Sequence, residues 1–445
     1  MYTTLKTHGP GKYSFETEKN LKNRKLRLCY KCLTATVSAR AMPSPKSAKQ
    51  MQDQIEEQQS TSRFEGTDVR SVIAAIATIS VVGTGLGLSG PLLSLLMEKE
   101  GISSSVIGAN TAVSGLAAII ATPYVTAIAK RFGVVRTIAF SIVMSALALL
   151  SLYFTDPIPT WFVLRFILSL FLCILFVLSE FWINHAANEK SRGIILGIYG
   201  TILSVGFATG PAIVSFVGID GILPFAIGAI IFLVALFPAL AAKSGQPVIE
   251  TSEKTPSLLP YLFVVPLATA AGFVFGAAEQ SQLSLLPVYG TSTGMGTAEA
   301  ALLLTVLGVG NIVFQIPLGM WSDHVRDRRS ILLLCGIGGV AGAFLLPLAS
   351  QSVWQTYLVV FLWGGVIGGL YTVGLAHLGS RLTGSDLAQA NAAFVLCYAM
   401  GMTIGPQIVG FTMDTFGNFG FSIGLAIIFA AYLGIYGWRM LVSPR

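Results

Sequence analysis

Gly319-Met-Trp-Ser-Asp323-His-Val-Arg326-Asp-Arg328-Arg329 separates two apolar runs, 298–321 and 330–350, and packs three arginines into eleven residues. A helix rises about 1.5 Å per residue, so about twenty residues cross a ~30 Å hydrocarbon layer. Each flanking run is long enough to do so. The basic loop then stays on the side where Lys and Arg are retained during insertion. Outward from this loop the same pattern repeats. Apolar runs fall at 70–97, 102–128, 134–154, 159–185, 193–217, 220–242, 259–289, 298–321, 330–350, 354–379, 387–413 and 417–441. Twenty-six of the 28 Lys and Arg lie on one side of these twelve spans; the exceptions are Lys99 in an outer loop and Arg165 within span four. A missed or extra span would invert the alternation downstream, so charge parity fixes the count and predicts both termini in the cytoplasm.

Composition agrees. The chain has 445 residues, 53% hydrophobic and 11% charged, where soluble proteins carry about 25% charged residues. Lipid is therefore the solvent for most of it. The net charge of +7 sits in short inner loops and a polar tail, which fits an anionic leaflet and not nucleic acid. Residues 1–69 are read as a polar, disordered cytosolic tail without a signal peptide. Met42 or Met51 is an alternative start. Cys29 and Cys32 form a lone CxxC without the further ligands a metal site needs, so no metal and no cofactor are expected.

The chain also repeats itself. Gly206-Phe-Ala-Thr-Gly210-Pro211 and Gly401-Met-Thr-Ile-Gly405-Pro406 are 195 residues apart, and the basic loops after spans two and eight align at an offset of 193. The expected fold is all-α, with two pseudo-symmetric six-helix bundles, 70–242 and 259–442, joined by a polar linker at 243–258. Parallel six-helix repeats with a site at their interface describe a secondary transporter. The GxxxGP segments are read as close helix-packing sites bent by proline.

On these residues the chain resembles the major facilitator superfamily. The 319–329 loop is similar to that family's motif between the second and third helices of a half. Thr126-Ala-Ile-Ala-Lys130-Arg131-Phe-Gly133-Val-Val-Arg136 is a degenerate first copy, with Thr for Gly and Lys for Asp. Arg165-Phe166 is similar to the helix-four Arg motif, with Ser169 where Gly is usual. Ser179-Glu180-Phe-Trp-Ile-Asn184 and Leu285-Leu-Pro-Val-Tyr-Gly290 resemble the bacterial YcaD-like branch. The resemblance covers about 70–442. It implies a monomer that moves a small molecule by alternating access, with Arg165 linked to proton transfer and helix seven lining the cavity. It also associates the helix-five GxxxGP with efflux, although its presence in both halves reads more as packing than as direction of transport.

Glu279 is the sharpest candidate. It lies about ten residues into span seven, near the midplane, where an ionisable group costs about 2.5–3.5 kcal/mol. It is expected to be neutral, paired or facing water, and to bind a proton or a cationic substrate group. Gln282 shares its helix face at i+3. Trp363 and Tyr371 are further substrate candidates, with Asn110, Asn311 and Gln315 behind them. Arg165 carries proton chemistry or snorkels to the interface. Gly319, Asp323, Arg326, Arg328, Arg131 and Glu180 form the expected gate. Asp323 is predicted to dock on the N-terminus of span five, a contact favourable by up to ~2 kcal/mol, which Lys130 cannot reproduce in the first half. Glu180 is expected to pair with Arg131, Arg136 or Arg192. No HExxH or GxxxxGK[ST] pattern points to an enzyme. The resemblance, together with Glu279, implies proton-coupled transport across the inner membrane, with efflux only slightly above uptake. A substrate-sensing receptor or a membrane enzyme stands as the alternative.

Overall fold

The computed structural model describes residues 6–8, 12–14, 68–155, 158–187, 192–245, 247, 260–325 and 327–442, apart from the side chains of 192, 193, 244, 323, 384, 385 and 388. Met1–Glu65 and Gly66–Arg445 are separate units. In the first, β1 (Lys6–His8) pairs antiparallel with β2 (Lys12–Ser14), Thr7 opposite Tyr13. The tail expected to be disordered thus contains a short antiparallel strand pair among its described residues. Cys29 and Cys32 lie outside the described residues.

The second unit is helical. In chain order its long helices are α1 (Val69–Lys99), α2 (Ser104–Phe132), α3 (Val134–Ser151), α4 (Ile158–Ala186), α5 (Arg192–Val217) and α6 (Leu223–Ala241). They continue with α7 (Pro266–Ser292), α8 (Thr297–His324), α9 (Arg329–Ala349), α10 (Val353–Arg381), α11 (Gly384–Phe416) and α12 (Gly420–Val442). Ten apolar segments among the described residues are long enough to cross a membrane; one, Gln389–Val442, contains both α11 and α12. The fold therefore has ten to twelve apolar helices. The helix absent from that apolar set is α7, whose middle carries Glu279-Gln-Ser-Gln282-Leu-Ser284.

Local chemistry sets the ends. Asp68 caps α1, accepting from Arg70 and Ser71 backbone N–H at 3.2 and 3.4 Å and from Ser71 Oγ at 2.6 Å. The Ser71 hydrogen bond holds the Asp68 carboxyl below its ordinary value. Gly133, at φ +88°, makes the turn between α2 and α3 that a side chain would strain. The predicted single span at 259–289 is broken: Tyr261–Val264 forms one turn, Val265 leaves the helix at φ −130°, and α7 starts at Pro266. Proline disfavours helical geometry in the residue before it and has no N–H to give the preceding turn.

Packing follows small residues. Gly206 and Gly210 of α5 lie against the backbone of Gly83 and Gly87 in α1, where a Cβ on either glycine would overlap main-chain atoms. Gly401 and Gly405 of α11 lie in the same way against Phe273 and Ala277 of α7. The two GxxxGP segments thus form equivalent seams, and Gly to any larger residue would force these helices apart. Helices α1 and α7 are central. The first packs on α4, α5 and α6; the second packs on α8, α10, α11 and α12. The α1–α6 and α7–α12 groups meet chiefly along α2–α11, α5–α8 and α1–α7.

Candidate functional site

Along the α7–α11 seam, Gly276 lets the Tyr398 backbone approach so closely that a Cβ there would overlap it, and a Cβ on Gly272 would come within 3.0 Å of the Phe394 ring. This approach sets the Tyr398 hydroxyl on Glu279, to whose Oε2 it donates at 2.5 Å. Around the carboxyl, Phe275, Tyr371 and Tyr398 form a triangle of rings with centroids 5.4, 6.1 and 5.9 Å apart. Phe394 closes it from behind, edge-on to Tyr371 at 5.3 Å. Glu279, Tyr371 and Tyr398 are half-buried, so the pocket remains open on one side. No Lys, Arg or His lies within ion-pair distance of Glu279 among the described residues.

The opposite group contributes to the same space. The carboxyls of Glu180 on α4 and Glu279 on α7 both act electrostatically on Tyr371. Glu180 is exposed, and among the described residues it pairs with neither Arg131 nor Arg136. The expected structural ion pair with these two is therefore absent. Arg131 instead sits 5.4 Å from the Phe132 ring centroid, and the Arg192 side chain is outside the described residues.

Arg165 is elsewhere. It is 2% exposed and faces inward among α1, α2 and α4, so it does not snorkel. Its Nε donates to Ser114 Oγ at 3.2 Å and a terminal nitrogen donates to the Ser89 carbonyl at 3.4 Å. Ser169 donates to the same Ser114 oxygen at 2.8 Å, which gives the unusual serine a polar task. No carboxylate pairs with Arg165 among the described residues. Gln282 is 2% exposed with its amide nitrogen unpaired, and Asn110 has neither amide atom paired among the described residues. Trp363 is 3% exposed, donates to the Gly339 carbonyl at 3.0 Å and packs on Gly342, away from the Glu279 rings. Asn311 lies against Gly368, and Gln315 is exposed.

The two ends of the cleft differ. At one, Asp414 of α11 accepts from the first N–H groups of α2, Ser104 at 2.8 Å and Ser105 at 2.9 Å. Thr291 of α7 donates to Glu98 of α1 at 2.6 Å, and Thr305 of α8 donates to the Ala208 carbonyl of α5 at 3.1 Å. Lys99 pairs with Asp220 at the same end, within the first group. Among the described residues, every hydrogen bond between the two groups lies toward this end. Toward the other end, Gly197, Gly200 and Gly319 face open space. There Arg328 donates to Ser322 Oγ at 3.1 Å and to the Ala376 carbonyl at 3.3 Å, tying the α8–α9 turn to α10. Arg326 and the Asp323 side chain lie outside the described residues.

Tyr398, Phe275, Glu98 and Asp414 were not among the sequence candidates. Glu98 and Thr291 are 193 residues apart, the offset of the basic loops, so the repeat held a signal for that pair. Nothing local marks Tyr398 or Asp414.

Two groups of apolar helices enclosing a polar cleft, closed at one end and carrying carboxyls from both sides, define a polytopic transporter-type membrane protein. The profile of the Major Facilitator Superfamily matches residues 75–406 and also 268–445, and the chain belongs to that family. It is 25% identical over 351 residues to the uncharacterised MFS-type transporter YfkF of Bacillus subtilis (strain 168), covering 77% of this chain and 88% of that protein. It is 22% identical over 379 residues to the uncharacterised MFS-type transporter YcaD of Shigella flexneri, covering 82% and 95%. In fold it is similar to a mutant of the nucleoside transporter NupG, with TM-score 0.69, 14% identity, and coverage of 84% and 98%. It is similar too to a bacterial homologue of the human lysosomal transporter Spinster, inward-facing and unoccupied, with TM-score 0.68, 13% identity, and coverage of 83% and 96%. These relatives are transporters, not enzymes.

Proposed function

We propose that this chain is a secondary active transporter of a small molecule, working as a monomer in the inner membrane by alternating access. Twelve spans form two six-helix halves, 70–242 and 259–442, with 243–258 as the linker and both termini in the cytoplasm. The end held by Glu98, Thr291 and Asp414 is then the outer face, and the conformation is inward-open. The Spinster homologue, named in its inward-facing state, supports this assignment by fold. Asp323, with Arg326 and Arg328, forms the lock that closes the inner end in the opposite state. Protons drive the cycle, with efflux favoured over uptake.

The observation that carries this reading is the placement of Glu279. A half-buried carboxyl at the middle of α7 has no cationic partner among the described residues and is held only by the Tyr398 hydroxyl, while a carboxyl of the other group also acts on neighbouring Tyr371. An ionisable group held at that depth marks a substrate or ion path. The test is solute counterflow in liposomes containing the purified chain, with and without an imposed pH gradient. Glu279→Gln is expected to abolish the response to the gradient. Equal uptake and equal gradient response in the variant would sink the assignment of Glu279.

A further inference from the structure

The surroundings of Glu279 go further than its depth. Three aromatic rings pack on one another, the Tyr398 hydroxyl of the cluster bonds the carboxyl, and Tyr371 and Tyr398 keep accessible surface. Among the described residues only one carboxyl oxygen is engaged, by Tyr398, and Glu279 is partly exposed. No side-chain cation balances it among the described residues. One helical turn away, on the same face of α7, Gln282 holds a buried amide nitrogen without a partner among the described residues. Across the cleft the exposed Glu180 adds a second negative group within reach of Tyr371. The nearest membrane-embedded cation, Arg165, is turned away into the α1–α2–α4 interior.

Aromatic faces attract cations electrostatically when the charge lies within about 6 Å of a ring, and a carboxylate adds direct attraction. The same surroundings repel an organic acid. A sugar would leave the Glu279 charge unbalanced and would need more hydrogen-bonding groups than three aromatic walls offer. We propose that the Glu279 pocket binds an organic ammonium ion with a compact apolar body: its charged head lies against Glu279, its body lies on Tyr371, Tyr398 and Phe275, and Glu180 draws it in from the opposite half. The proposal rests on the transport reading only for the steps after binding; the recognition chemistry stands by itself.

The test is equilibrium dialysis of radiolabelled benzyltrimethylammonium against the purified full-length chain in nanodiscs, with neopentylbenzene as uncharged isostere and phenylacetate as anion. Saturable binding of the cation is expected, displaced by unlabelled cation and by neither comparison compound. Glu279→Gln should weaken it at least tenfold, Tyr371→Leu three- to tenfold, and Glu180→Gln two- to threefold. Glu279→Asp should recover part of the loss. This guards against a folding defect, as does the charge-selectivity of the unaltered chain. No saturable cation binding, equal displacement by the neutral isostere, or full affinity in Glu279→Gln would each overturn the proposal. Counterflow separates it from the transport reading. A chain that moves a neutral or acidic solute but does not bind the cation defeats the proposal alone. A chain that binds the cation through Glu279 and moves no solute defeats the transport reading alone.

Discussion

The two seams that join the helix groups are related by the internal repeat and are built differently. Along α2–α11, Gly108 and Gly115 admit the backbone of Pro406 and the side chain of Thr403 so closely that a Cβ on either would overlap them. At the equivalent place on α5–α8, 193 residues on, a Cβ on Gly308 would meet only the Ala208 Cβ, at 3.9 Å. The tight seam ends in a charged contact, Asp414 on the N-terminus of α2. Among the described residues the loose one has a single neutral hydrogen bond, Thr305 to Ala208. A carboxylate on a helix N-terminus meets unpaired N–H groups and a partial positive charge together. The proposed inner lock, Asp323 on the N-terminus of α5, is the same device on the other seam at the other end. Each seam would then carry one such latch, and opposite ends would open in turn.

The difference can be broken experimentally. Gly115→Leu should hold the α2–α11 seam apart at its closed end and cut transport more than tenfold, whereas Gly308→Leu should be tolerated. The reverse ranking would mean that the α5–α8 seam is the constrained one. Asp414→Asn comes next. Loss of a charge worth up to ~2 kcal/mol at a helix N-terminus should shift the closed-to-open ratio at that end by up to about thirtyfold, read by spin-label distances across the cleft. Thr305→Val removes one neutral hydrogen bond of about 1 kcal/mol, so the same distances should shift by about fivefold or less. If Thr305→Val matched Asp414→Asn, the charged contact would have no special weight.

The smallest effect calibrates the rest. Asp68→Ala should cost about 1 kcal/mol of stability through loss of the α1 cap and leave the closed-to-open ratio alone. The folded state depresses the Asp68 carboxyl below its value of 3.8 in the unfolded chain. Its contribution is therefore complete above about pH 4 and fades as pH falls through the lower folded value. Thermal unfolding of the two proteins should converge in acid; a constant gap down to about pH 2 would show that the cap acts without its charge.

Much of this is legible in the chain itself. Basic loops and apolar runs are local, and lipid accepts only segments whose backbone groups are satisfied within helices. The GxxxGP glycines are legible as contact points because only residues without bulk allow helices so close. The break before Pro266 is legible in principle, since proline acts on its immediate neighbour, but the apolar run conceals it. Among the described residues Glu180 does not pair with Arg131 or Arg136, which lie at the ends of other helices, and its carboxyl instead acts on Tyr371 of the other group.

The sequence alone determined the membrane fold, the family and the place of Glu279 at the middle of its helix, because each depends on residues within a span or a loop. Tertiary structure decided what those residues meet. The Tyr398 hydroxyl reaches Glu279 across 119 residues and Asp414 reaches α2 across 310. Helix periodicity tells which residues share a face, but not which other helix that face will touch. That choice was left to the close glycine seams, and it made a lone buried carboxyl into a pocket.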